Sequence, residues 1–381
     1  LRVGIVCYPT AGGSGVVATE LAVSLASRGH EVHLVSYAMP LRLRSPEERV
    51  HYHEVEVASY PLFRYPPYDL ALASRLAELD EAEGLDLVHV HYAIPHAISG
   101  LLVRALVRPK RLPLVTTLHG TDITVVGQER AYHRVTRYAI LSSDAVTAVS
   151  RYLRDETDRV FGATRAIDVI PNFVDVSRFR PVEDAARRAV FARPSQALLL
   201  HVSNFRPVKR APACVEVLAR LVRERDAVLV MVGDGPERAE CEARARRLGL
   251  RDRVRFVGAH AEVERLLAVA DAFLLPSEYE SFGLAALEAM ACGTPPLTVR
   301  AGGLPEVVTD GLDGVLAPPG DDEALAAAAA SLLADPARLR AMGEAARATA
   351  VERFEVSRVV PLYEGLYERV IASPPAPAPA S

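Results

Sequence analysis

The chain has 381 residues, 50% of them hydrophobic, with 44 Lys and Arg against 48 Asp and Glu and a formal net charge of −4. So even a balance gives no electrostatic case for nucleic acid as the main ligand, and any phosphate site must be local. The length exceeds what one hydrophobic core normally serves, so two domains are expected.

Residues 2–7 read as a strand and 16–28 as a helix, with Val17, Leu21 and Leu25 on one face. Between them lie Gly12, Gly13, Ser14 and Gly15. Glycines here let backbone N–H groups approach a ligand, and the helix start adds partial positive charge, so this is an anion site or a plain tight turn. A dinucleotide fingerprint begun at Gly13 nearly fits, with Ala18 in its last glycine position. The acidic residue that should follow the second strand, 31–36, is missing from the sequence Tyr37-Ala38-Met39-Pro40, which weakens a nicotinamide or flavin reading.

The alternation continues with a helix at 70–83, strands at 87–91 and 114–118, a helix at 132–142 and a strand at 145–149. Such alternation predicts a parallel sheet covered by helices on both faces. His89 and His91 alternate with Val88 and Val90, which puts both on one strand face and favours a structural role. The segment 168–175, DVIPNFVD, breaks the rhythm and marks the join between two domains.

A second series follows: strands at 197–203, 227–232, 253–257 and 272–276, with helices at 213–224, 238–248, 263–269 and 283–291. Straight after its first strand comes SNFRPVKR, 203–210, with Arg206 and Lys209; Lys110 is the only other lysine in the chain. A retained lysine suits a point charge at a diphosphate, whereas a basic turn by itself is usually a solvated one. VGDGPE at 232–237 is a Gly-rich turn that could approach a nucleotide. In 278–295, EYESFGLAALEAMACGTP, seven residues separate Glu280 from Glu288, with the helix carrying Glu288 expected to start at Ser281–Phe282 and Glu288 about two turns in. A carboxylate suits a vicinal diol, and free N–H groups at the helix start suit phosphate. Glu280 alone could be an ordinary helix-start acid, but Glu288, between Leu287 and Ala289 in an apolar helix, needs a partner.

AGGLPEVV at 301–308 puts Gly302 and Gly303 before a helix. Residues 324–334 read as a helix capped by Asp321, Asp322 and Glu323, and 354–371 as a last helix carrying Tyr363 and Tyr367. The Pro/Ala-rich tail, 373–381, is expected to be disordered. No run reaches the roughly 20 apolar residues that span a bilayer, and the apolar run at 3–7 is too short for a leader. Cys7, Cys214, Cys241 and Cys292 form no C-x-x-C pair, so neither a disulfide framework nor a zinc site is expected and a cytoplasmic location fits.

Taken together, the glycine loop, HGTD at 119–122, SNFRPVKR, VGDGPE, the Glu280/Glu288 pair and AGGLPEVV resemble the retaining glycosyltransferases of family 4, which have the GT-B fold. The resemblance covers nearly the whole chain. It implies an α/β architecture of two doubly wound Rossmann-like domains facing across a cleft. The N-terminal, acceptor-binding domain would be 1–172, with a helix at about 355–372 crossing back to it, and the nucleotide-sugar domain 173–354. Within the family, CYPTAGGSGVVATELA, FRYPPYDLALAS, VHVHYAIPHA and TTLHGTDITVVGQE resemble members of the bacillithiol pathway most closely. Those members transfer GlcNAc from UDP-GlcNAc to the hydroxyl of L-malate.

By that resemblance His119, Arg206, Lys209 and Glu280 are the expected catalytic group. Gly15, Arg206, Lys209, Gly233, Glu280, Ser281, Phe282, Gly283, Leu284 and Glu288 are expected to bind the donor, Glu288 at the ribose, Arg206 and Lys209 at the diphosphate and Glu280 at the sugar. Gly13, Ser14, Tyr92, Thr117, Arg151 and Asn172 are expected acceptor contacts, with Arg154 as another carboxylate partner, and Asp122 orients the HGTD loop. The expected partners are UDP-GlcNAc and L-malate, without nucleic acid or stable membrane association, and with homodimer formation open. No cofactor is expected. No D-x-D pair occurs in the sequence, so no metal is expected either. The alternatives are another acceptor (a sugar, an inositol phosphate or a lipid-linked glycan), a UDP-sugar epimerase, and a binding protein without catalysis.

Overall fold

The computed structural model describes residues 1–374 apart from 11, 41, 44–47, 163–164 and 261. The tail expected to be disordered lies outside the described residues from 375 on. The chain divides into two compact units, Leu1–Pro171 with Ser357–Ser381, and Asn172–Val356.

The first unit carries seven parallel strands: β1 (Arg2–Val6), β2 (Glu31–Ser36), β3 (Val50–Glu54), β4 (Leu87–His91), β5 (Leu114–Leu118), β6 (Ala145–Ala148) and β7 (Asp168–Val169), in the order β3-β2-β1-β4-β5-β6-β7. β4 and β5 are buried along their whole length; β5 reads as an apolar and β-branched run, while β4 buries His89 and His91 on one face. β3 escapes the sequence pattern because it is a polar edge strand, VHYHE, with no fully buried position.

The second unit carries six: β8 (Ala197–Val202), β9 (Ala227–Val232), β10 (Val254–Gly258), β11 (Ala272–Leu275), β12 (Pro296–Val299) and β13 (Val315–Ala317), in the order β10-β9-β8-β11-β12-β13. These pairs are parallel too. A single cluster joins Leu199, Leu229, Met231 and Leu274 of the strands with Leu218 and Leu325 of the covering helices. In each sheet the order reverses once, between β1 and β4 and between β8 and β11, and ligands of doubly wound sheets bind beyond the strand ends at such points.

Three boundaries differ from expectation. The first helix runs Gly13–Ser27, so Gly13, Ser14 and Gly15 form its opening turn and do not precede it. The helix carrying Glu288 is Leu284–Ala291, because Gly283 is left-handed (φ +100) and stops the helix from extending back to Ser281; Glu288 is therefore one turn in, not two. The single helix expected at 354–371 is the second of a pair, Pro336–Phe354 and Val356–Ala372, broken at the extended Glu355. That second helix packs on the first unit: Tyr367 bonds His89, Glu364 bonds Arg28 and His30, and Arg111 bonds the carbonyls of Val370 and Ile371.

Candidate functional site

In the second unit the two loops at the reversal point carry the predicted donor residues. The loop after β8 runs through Ser203 to Arg210, and the loop after β11 through Pro276 to Gly283. They are joined by the backbone bond from Glu278 N to Val208 O at 2.8 Å. They are also joined by an ion pair: Lys209 Nζ donates to Glu280 Oε1 at 2.7 Å, and the Ser277 hydroxyl donates to the same oxygen at 2.8 Å. Lys209 has three donors and spends one here, so it can hold Glu280 and a phosphate together. Arg206 is exposed, and its guanidinium makes no hydrogen bond or ion pair with a described residue. Glu288 is buried on its helix at 6% exposure, and Phe282 at 2%.

Glycines set how closely the surrounding loops stack. A Cβ at Gly233 would lie 1.8 Å from Ser203 O, and one at Gly302 would lie 1.9 Å from Glu280 O. Both residues have positive φ, +116 and +58, so each turn needs glycine on two counts. VGDGPE is thus a shelf under the loop of Arg206 and Lys209, and AGGLPEVV a shelf under the loop of Glu280.

In the first unit the predicted acceptor residues follow neighbouring parallel strands. Ser14 lies beyond β1, Tyr92 beyond β4, His119 beyond β5 and Arg151 beyond β6. Ser14 Oγ donates to Tyr92 Oη at 3.1 Å, and the Tyr92 ring stands 5.5 Å from that of His119. Among the described residues, no side chain caps the helix start at Gly12. A Cβ at Gly13 would meet nothing, whereas one at Gly15 would lie 2.5 Å from Tyr8 O: Gly13 faces open space and Gly15 is held by packing.

Buried Asp122 ties the HGTD turn together, accepting from the backbone N–H groups of Gly120 (3.0 Å), His119 (3.3 Å) and Ala93 (3.0 Å). Burial pushes its pKa up to about 6 despite those bonds. His119 Nε2 contacts His91 Nδ1 at 2.8 Å, and burial pushes His119 down to about 3, so at neutral pH it acts as a neutral hydrogen-bonding group and not as a cation. His89 and His91 share a face, their rings 4.6 Å apart.

Thr117 is not brought to the surface. It is fully buried, with its hydroxyl taken up by His89 Nε2 and Thr147 Oγ1, both at 2.7 Å, so the expected acceptor contact lies in the interior of the sheet. Asn172 falls with the second unit and is buried. Arg151 is exposed at the start of a helix capped by Ser150, and Arg154 is paired with Asp155. The Ser14–Tyr92 and Lys209–Glu280 bonds were not read from the sequence. The strand order, placing β1 beside β4 and β8 beside β11, is the signal that would have found both.

Two family models match the chain, "Glycosyltransferase Family 4" over residues 11–178 and "Glycosyl transferases group 1" over 182–349. Over 372 residues, 97% of each chain, the protein is 45% identical to the N-acetyl-alpha-D-glucosaminyl L-malate synthase of Bacillus anthracis. The chain belongs to glycosyltransferase family 4. Among solved structures, sucrose-phosphate synthase of Thermosynechococcus elongatus matches with TM-score 0.81 and 25% identity, over 97% of this chain and 99% of that one. HepE of Anabaena, solved in complex with UDP-glucose, shares the fold with TM-score 0.82 at 22% identity, over 97% and 99% of the two chains. This family 4 glycosyltransferase therefore has the two Rossmann-like domains of the GT-B architecture. Among the described residues no helix is long and apolar enough to cross a membrane.

Proposed function

We propose that this enzyme transfers GlcNAc from UDP-GlcNAc to the hydroxyl of L-malate with retention of configuration, the first step of bacillithiol biosynthesis. The observation that carries the proposal is full-length likeness, at 45% identity, to a protein named for that product. The loops are chemically suited to it. In the second unit Arg206 and Lys209 meet the diphosphate, Glu288 the ribose diol and Glu280 the sugar hydroxyls, with the backbone of Ser281–Leu284 beside them. In the first unit the open turn at Gly13 and Ser14, with Tyr92, takes a malate carboxylate, and His119 hydrogen-bonds the sugar.

The bond between the anomeric carbon and the diphosphate oxygen breaks, and its electron pair leaves with UDP. Arg206 and Lys209 stabilise that charge as it develops. The malate hydroxyl oxygen bonds to the anomeric carbon on the same face, and its proton passes to the departing phosphate oxygen. A covalent glycosyl-enzyme, the other retaining route, would need a carboxylate behind the anomeric carbon. No metal takes part in this proposal, since the sequence has no D-x-D pair; the EDTA arm of the assay tests this. The four cysteines are free and buried, which fits a cytoplasmic enzyme.

UDP release from UDP-GlcNAc, measured with and without L-malate in the presence of EDTA, tests the proposal. Malate-dependent release is expected. Equal release without malate, release only with another acceptor, or silencing by EDTA would each overturn the corresponding part.

A further inference from the structure

The turn that presents Arg206 and Lys209 has an unusual backbone. Phe205 is a bulky residue in the left-handed region, at φ +42, and its side chain is wholly buried. Such a conformation persists only where its surroundings impose it. From below, Gly233 and Gly235 stack against the carbonyls of Ser203 and Asn204, and Glu237 N–H bonds Phe205 O at 3.0 Å. From above, the constraint is a relay of side chains.

His201, on β8, is fully buried. Its Nδ1 lies 2.9 Å from Leu274 O on β11, and its Nε2 lies 2.8 Å from Ser203 Oγ. Ser203 Oγ also lies 3.2 Å from Phe205 N. A carbonyl can only accept, so Nδ1 carries the imidazole proton. Burial pushes His201 down to about 4, so at neutral pH the ring is neutral and Nε2 presents a lone pair. Ser203 must then donate its hydroxyl proton to His201, which leaves its oxygen lone pairs to accept the Phe205 N–H. Each direction in the chain is fixed by the one before it.

We infer that His201 and Ser203 are positioning residues for the donor diphosphate: they lock the Phe205 turn so that, before the nucleotide arrives, Lys209 stands against Glu280 and Arg206 is presented from the same loop. This rests on the proposed use of UDP-GlcNAc. Neither residue touches the reacting atoms; each acts through Phe205. Preset cations need no reorganisation as the leaving group forms, so the relay is expected to act on the nucleotide and leave the malate site unaffected.

The experiment is UDP binding by calorimetry and steady-state kinetics on the full chain for wild type, Ser203→Ala and Ser203→Thr. Ser203→Ala is expected to weaken UDP by about tenfold, the size of one lost hydrogen bond in a partly buried site. The KM for UDP-GlcNAc should rise in parallel while that for malate stays fixed. Ser203→Thr keeps the hydroxyl and should restore UDP binding. If Ser203→Ala does not fold, His201→Asn serves in its place: it keeps a donor for Leu274, withdraws the acceptor from Ser203, and should show the same selective loss. Unchanged UDP affinity, even with a lowered melting temperature, would overturn the inference, as would equal losses for donor and malate. A wild-type protein that does not bind UDP would instead overturn the donor assignment itself.

Discussion

Both units set out their strands on one plan, with a single reversal in the middle, yet the loops beyond the two reversals are built from opposite materials. In the second unit the loops bear full charges: Lys209 is paired with Glu280, Arg206 is exposed, and Arg210 pairs with Asp322. In the first unit the corresponding loops carry hydroxyls, a helix start without a side-chain cap among the described residues, and buried histidines kept neutral. A diphosphate leaving group gathers charge during the reaction and is best met by cations. A dicarboxylate keeps the charge it arrived with, and dipoles are enough to hold it. On the proposed function, the same topology would separate the place where charge must be stabilised as it forms from the place where it only has to be held.

The sharpest way to break the comparison is Lys209→Ala. Turnover should fall by about 10²–10³-fold, the usual cost of one preset donor at developing charge, and Glu280 would keep only the Ser277 hydroxyl among its described side-chain partners. Rates of UDP release near wild type would refute the charged role. Next in size is a contrast of glycines. Gly233→Ala drives a methyl into Ser203 O at a positive φ and should cost about 1–3 kcal/mol in chemical denaturation. Gly13→Ala enters open space in a helical turn, so stability should hold or rise by about 0.5–1 kcal/mol while the KM for malate increases.

Acid should expose a third difference. His89 and His119 are pushed by burial to about 3, His96 and His201 to about 4, and His91 well below its ordinary value. Their folded pKa values lie below the unfolded 6.5, so the unfolded chain binds more protons as pH falls from about 6.5 toward 4, and stability drops. Asp122, raised to about 6, has the opposite sign, since its folded form takes up a proton first. Four of these five histidines lie in the first unit. Denaturation midpoints compared at neutral pH and near pH 5 should therefore fall, and more so for the first unit if the units melt separately. The smallest effect belongs to Tyr92→Phe, which removes the 3.1 Å bond from Ser14. It should raise the malate KM about fivefold and leave that of UDP-GlcNAc unchanged.

The buried strands were legible in the sequence because β1, β8 and β9 are mostly apolar runs, and β4 alternates valine with histidine. β3, β12 and β13 were not: one is a polar edge, the second opens on Pro296 straight after Pro295 and so reads as a turn, and the third has only three residues. The helix Pro336–Phe354 was missed for a related reason, since its buried positions are mostly alanine and glycine, such as Gly343, Ala346 and Ala350. The motif residues could be picked out, but not their partners. Lys209 and Glu280 are 71 positions apart and Ser14 and Tyr92 are 78 apart, so those bonds become visible only once the strand order is known. Thr117 shows the converse: a residue in a motif need not point the way the motif does.

The last helix also bears on how the protein is made. His89 in the middle of the first sheet is bonded to Tyr367, and Glu364 ties down Arg28 and His30. A ribosome delivers the whole of Asn172–Val356 before it delivers those two residues. The unit begun first is therefore finished last, and its emerging sheet must wait, with a buried face still uncovered, while its neighbour has every residue it needs to fold.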